Sequence, residues 1–293
     1  MADHVLENSS LRVTVSDAGA ELVSVLDKAS GLERIWTGDP SVWNRHAPIL
    51  FPFVGRVADG RYRIGTAEYP MKTQHGFARD QVFSLERTDS ASVTHLLESC
   101  PETKAIYPYD FRLLVTHALD EDDPRLLHIR WQVENRGEEE MRFSIGGHPA
   151  FLLPVGADKQ SCFLRFEADA NLRCFPVDGA TGLAHPDCLR LLRPEAGLVP
   201  FHESIYDTWI FPAAQVRSVS IAGPDGQDYV TLSCPGFPFL AVWAKDSGPF
   251  ICLEPWFGRT DDTGFRGSLS EKPGEQCLTP GQSWEADYTI RFF

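Results

Sequence analysis

The sequence predicts an all-β fold, a large antiparallel β-sandwich, and three observations carry that prediction. Apolar and polar residues alternate with period two in short runs, clusters of Pro, Gly, Asp and Ser separate the runs, and no segment sustains a helical stripe for three turns. Successive side chains of a strand point to opposite faces, so such alternation describes a ribbon buried on one side and wet on the other.

In chain order, the first run sets Leu11, Val13 and Val15 against Arg12, Thr14 and Ser16. A second covers 111–118, and a third sets Ile129, Trp131 and Val133 against Arg130, Gln132 and Glu134. Further strands are expected over 162–167, 216–221, 229–234, 239–244 and 288–292, with another apolar strand following Asp207. The strands at the two ends are expected to join the sheets of the sandwich. The 21 prolines and 23 glycines are spread along the chain and mark no linker, so residues 1–293 are read as one domain. The segment 176–200, rich in Gly, Pro and Asp, is the candidate for an excursion that covers a cleft.

Composition excludes several function classes. With 41 acidic against 27 basic residues the net charge is −14, and no Lys/Arg-rich run offsets it, so nucleic acid is not an expected partner. No run of about 18 apolar residues occurs, so no spanning helix is expected and the chain is read as cytoplasmic. Seven cysteines are scattered without C-x-x-C spacing, which predicts reduced, mostly buried thiols and no zinc ribbon. Cys252, next but one to Glu254, is read as a core thiol. G-x-S-x-G, the P-loop and the dinucleotide fingerprint are all missing from the sequence. Closely spaced histidine ligands are missing too, so a metal enzyme built on His75, His148 and Glu254 is disfavoured.

Three fragments carry the chemistry. The stretch 46–83 packs Arg56, His75 and Arg79 between apolar and glycine-rich segments, where the two arginines and the histidine face one anion or polyol. His148 follows Gly146-Gly147 and precedes Pro149, so the chain approaches a ligand closely there and leaves in a fixed direction. Glu254 lies inside the apolar run from Phe250 to Phe257, where burial raises a carboxyl pKa and improves it as a base. A free imidazole titrates near about 6.5, so a His148–Glu254 pair predicts both an acid and a base limb between about pH 5 and 9. Trp256 offers a flat apolar face for a sugar ring, and Asp207 a carboxylate for hydroxyl groups or for a strand-end turn. The other histidines are read as surface or structural residues, His46 being a weak exception.

These residues resemble the aldose 1-epimerase (galactose mutarotase) family, its LacX-type branch in particular. The resemblance rests on Gly19-Ala20-Glu21-Leu22, Trp36 and Trp43, Ala47-Pro48-Ile49-Leu50-Phe51-Pro52 with Gly55-Arg56, His75-Gly76-Phe77-Ala78-Arg79, Gly147-His148-Pro149-Ala150-Phe151, Asp207, and Glu254-Pro255-Trp256. It implies a β-sandwich of the galactose mutarotase type, no cofactor, and a cleft on one sheet face for an aldose. It also implies Glu254 as general base, His148 as general acid, and His75, Arg56 and Asp207 as substrate-binding residues. The Phe-Ala-Arg after His75-Gly76 departs from the galactose mutarotases and is similar to hexose-6-phosphate mutarotase relatives, so a neutral and a phosphorylated aldose both stand as substrates. A carbohydrate-binding protein without turnover is the competing class, and monomer and homodimer both remain open.

Overall fold

The computed structural model describes residues 1–168, 172–201, 208–212 and 214–293. Two large antiparallel sheets face each other. A nine-stranded sheet has the spatial order Leu198–Pro200, Phe163–Ala168, Val216–Ala222, Asp228–Ser233, Ser283–Phe292, Leu126–Asn135, Phe111–Leu119, Ser92–Glu98 and Ser84–Thr88. The second runs Arg190–Leu192, Leu172–Pro176, Trp209–Pro212, Phe239–Trp243, Phe250–Phe257, Ile145–Gly147 and Ile49–Leu50, with Ala150–Leu152 also paired to Phe250–Phe257. A separate four-stranded sheet holds Asp3–Glu7, Leu11–Ser16, Glu21–Asp27 and Leu32–Glu33.

Alternation explains the nine-stranded sheet. Along Phe111–Leu119 every second residue is buried, and its partner Leu126–Asn135 repeats the pattern in register, with Leu113 opposite Val133 and Val115 opposite Trp131. These inward side chains meet the other sheet. Phe166 packs on Phe211 at 5.0 Å between ring centroids, and Trp131 packs on Tyr288 within a core that includes both sheets. Trp131 is fully buried.

Phe250–Phe257 behaves differently, because seven of its eight residues are buried. Ile251 and Leu253 belong to the main core between the sheets, whereas Phe250, Cys252 and Trp256 belong to two smaller clusters on the opposite, outer face. A strand covered on both sides reads as a continuous apolar run. Loops lie over this outer face, and Glu254 sits there between Cys252 and Trp256.

Every strand expected from the sequence is present to within a few residues of its predicted span. The C-terminal strand Ser283–Phe292 enters the middle of the nine-stranded sheet, between Asp228–Ser233 and Leu126–Asn135. The N-terminal strand instead pairs with Leu11–Ser16 in the four-stranded sheet, so only one of the two terminal strands joins the main sandwich. Among the described residues no helix is long and apolar enough to cross a membrane.

Candidate active site

Strand register places Glu254 and His148 opposite each other. Ile145 and Gly146 pair with Phe257 and Trp256, and Ala150 to Leu152 pair with Cys252 to Phe250, so residues 147–149 span the gap across from 253–255. Pro149 has no N–H to continue the ladder, and the pairing is interrupted around His148 without a change of register. His148 is fixed there by its own N–H, which donates to Pro48 O at 3.1 Å. The result is His148 Nε2 at 3.3 Å from Glu254 Oε2, with both side chains over nine-tenths buried. Ala241, directly across the ladder from Glu254, is small and leaves the carboxyl room.

The 46–83 stretch forms the next wall. Glu21 accepts the N–H groups of His46 and Ala47 and anchors the start of this segment, which is where His46 finds its role. After Ile49–Leu50 the chain passes Gly55 and Arg56, whose N–H groups are satisfied by His75 Nδ1 at 3.0 Å and Thr260 Oγ1 at 3.0 Å. Because His75 Nδ1 accepts, its ring hydrogen sits on Nε2. His75 and Gly76 both have left-handed backbones, φ 68° and 69°, and the His75 ring stands 5.5 Å from that of His148. A Cβ at Gly76 would lie 2.3 Å from Phe51 O, a backbone atom that cannot swing aside. Gly76→Ala is therefore expected to destabilise the fold by more than about 2 kcal/mol, adding a clash to the left-handed penalty. Chemical denaturation of the variant checks this, and a midpoint equal to wild type would contradict it.

These elements enclose a cavity of about 240 Å³. The structure brings Arg56, His75, Arg79, His148, Glu254 and Trp256 into its lining. Val177, Asp178, Gly179 and Gly182 line it too, so the start of the 176–200 segment forms part of the cleft wall. Asp207 lies outside the described residues. Trp256 is 2% exposed, and broader aromatic walls come from Trp43 and Trp243, both half-buried, with the Trp43 ring 5.0 Å from that of His148. Gln74, Thr208, Trp243, Lys245 and Thr260 join the lining without any prior sequence signal. Trp243 pairs with Cys252, and so shares the face of Glu254.

Burial sets the charges. It drives the Glu254 carboxyl well above its ordinary range, with the Trp256 indole opposing it. Burial, with help from Arg79, lowers His148 to about 3. His75 falls well below its ordinary value through burial and the neighbouring His148, Arg79 and Arg56. The neutral-range titration expected for His148 is thus displaced, because the expectation took a solvated imidazole as its reference. Burial therefore favours the neutral forms of His75, His148 and Glu254.

Cys252 completes a group with His148 and Glu254 whose donor atoms lie within 4.8 Å of one another. Burial holds its thiol well above the usual range, so the protonated sulfur is a poor metal ligand. Three cations, Arg56, Arg79 and Lys245, line the cavity, and none forms an ion pair among the described residues. Arg79 is pinned through Nη2 to Gln74 O at 2.8 Å, while its buried Nε lacks a partner.

The family model described as aldose 1-epimerase matches residues 3–184, well over half of the chain. The chain belongs to the aldose 1-epimerase family. The plasmid form of protein LacX from Lactococcus lactis subsp. lactis is 30% identical over 297 residues, covering 97% of each chain. Among solved structures, a galactose mutarotase related enzyme from Lactobacillus acidophilus superposes with a TM-score of 0.92 at 29% identity, over 100% of this chain and 97% of the other. A galactose mutarotase-like protein from Lactobacillus casei gives 0.89 at 30% identity over 100% of both chains. This member of the aldose 1-epimerase family therefore shares the mutarotase-like fold through its whole length, and the buried Glu254–His148 pair lies on its outer sheet face.

Proposed function

We propose that the chain is an aldose 1-epimerase, a mutarotase that interconverts the α and β anomers of an aldose, with Glu254 as base and His148 as acid. The observation that carries this reading is the 3.3 Å approach of His148 Nε2 to Glu254 Oε2 in the wall of an open cleft of about 240 Å³. Exchange at C1 needs one group to take the anomeric hydroxyl proton and another to protonate the ring oxygen. The C1–O5 bond then breaks to an open-chain aldehyde, rotation about C1–C2 presents the other carbonyl face, and reclosure returns both protons.

The single proton of the pair is enough for this cycle. In the free protein it sits on Glu254; transferring it to His148 gives a carboxylate base and an imidazolium acid without any exchange with solvent. Sugar hydroxyls entering the cavity solvate both charges and favour the transfer. His75, with its hydrogen on Nε2, and Arg56 are the substrate-binding donors, and Asp207 is proposed to join them. Trp43, Trp243 and Trp256 supply apolar surface for the ring.

The decisive experiment follows the approach to anomeric equilibrium of freshly dissolved α-glucose, α-galactose and their 6-phosphates, by polarimetry or NMR, with and without protein. Acceleration of any of them is expected, and no acceleration at high protein concentration would remove the mutarotase reading in favour of a sugar-binding protein without turnover.

An anionic aldose is a second reading, favoured by the three cations without ion-pair partners among the described residues, in a chain of net charge −14. Arg79→Met is expected to raise KM for a 6-phosphate about 10- to 100-fold, the cost of a charge-assisted hydrogen bond, while leaving a neutral aldose within a few-fold. Equal effects on both sugars would assign Arg79 to holding the Gln74 loop instead.

A further inference from the structure

A second group of ligand-type side chains lies away from the cavity, at the seam between the four-stranded and the nine-stranded sheets. His4 stands on Asp3–Glu7, Asp17 follows Leu11–Ser16, and His95 stands on Ser92–Glu98. His4 Nε2 is 2.8 Å and His95 Nε2 3.4 Å from the same oxygen, Asp17 Oδ1, and the three donor atoms all lie within 4.8 Å of one another. Tetrahedral zinc with bonds of about 2.0–2.2 Å sets neighbouring donors ~3.3 Å apart, so only small side-chain adjustments separate this geometry from an occupied one.

Two further observations point to a ligand. His95 is completely buried, its Nδ1 has no hydrogen-bond partner among the described residues, and its Nε2 meets Asp17 Oδ1 only at a long 3.4 Å. Buried polar atoms are nearly always satisfied, and a metal on Nε2 would serve the nitrogen that faces Asp17. The other oxygen of Asp17 is already held, accepting the Ala2 N–H at 2.6 Å, which orients Oδ1 toward the histidines. The His4 and Asp17 side chains remain 18% and 16% exposed, which gives an ion a way in and leaves a position for water.

We propose that His4, Asp17 and His95 form a binding site for a divalent transition metal of the zinc type, which ties the N-terminal sheet to the nine-stranded sheet. None of the three lines the cavity, so the site is structural. Its reach is nonetheless traceable. Asp17 O accepts the Phe83 N–H at 2.8 Å, Gly19 N–H donates to Gln81 O at 2.8 Å, and this segment lies beside Arg79 in the cavity wall.

The test uses the full chain after exhaustive chelation. Titration with Zn2+ followed by calorimetry is expected to show one equivalent bound, with a rise in Tm that scales with free metal. His4→Ala, at a partly exposed position, is expected to fold and to weaken Zn2+ binding at least ~100-fold, since loss even of an outer partner commonly costs 10- to 100-fold. Asp17→Asn should do the same, and anomer exchange without metal should be unchanged in both. Equal Zn2+ affinity in wild type and both variants would overturn the proposal, as would no binding by wild type. Co2+ substitution separates the seam, which holds no sulfur, from the cysteines: a sulfur-to-cobalt charge-transfer band for the single bound ion would place the metal on a thiolate and refute the seam site.

Discussion

Glu254→Gln is expected to lower kcat for anomer exchange by about 10²- to 10⁴-fold, the usual worth of a positioned base, while sugar affinity stays within a few-fold. Glutamine keeps the size and a hydrogen-bonding oxygen but cannot accept the C1 hydroxyl proton. Saturation-transfer NMR for kcat and calorimetry for affinity separate the two quantities, and a variant that turns over at the wild-type rate would end the base assignment. The same substitution carries a stability signature. Burial raises the Glu254 carboxyl in the fold above its unfolded value, so the fold prefers the protonated acid. That preference stabilises the native state fully below the unfolded carboxyl value of about 4.3 and is lost as pH rises through the folded value. The glutamine amide does not titrate in this range. The variant's Tm should therefore gain on wild type from pH 4 toward pH 8, and a constant gap would show that Glu254 is not buried as a neutral acid.

His148→Asn is expected to cost a comparable factor, about 10²-fold or more, by removing the group proposed to protonate the ring oxygen. Its diagnostic is the pH dependence of kcat/KM, which reports the free enzyme. With His148 lowered to about 3 and Glu254 raised, the singly protonated pair persists across the intervening range. Wild-type kcat/KM should then be level on the acid side of neutrality and fall only as the pair loses its one proton. A wild-type limb near about 6.5 that disappears in the variant would mean that His148 titrates as a solvated imidazole, contrary to its burial. For stability the sign is opposite to that of Glu254. The depressed His148 value contributes stability present above about 6.5 and lost as pH falls toward 3, so the variant should be less sensitive to acid than wild type.

How much was legible in the sequence follows from what periodicity can register. Strands such as Phe111–Leu119, with one face in the core and one in water, announce themselves by alternation. Phe250–Phe257 does not, being covered on both faces, yet its anomaly was informative: a glutamate in an unbroken apolar run marks the floor of a site. His148 was found through its glycine and proline neighbours, which are the residues that let a ladder break opposite Glu254. Lys245, Thr260 and Gln74 stayed invisible because nothing local marks them; they meet the cavity through long-range packing alone. The neutral-range titration expected of His148 is displaced for a related reason, since desolvation belongs to the fold and not to the residue type.

The floor and the walls of the cavity are made differently. Glu254 is held by paired strands on both sides, whereas Val177, Asp178, Gly179 and Gly182 come from a turn-rich loop whose Asp178 carboxylate is engaged with its own neighbours. Backbone amides of the floor should be among the last to exchange with deuterium, and those of the loop among the first. Sequence drift in the loop can then reshape the cavity while Glu254 and His148 stay facing each other on the sheet.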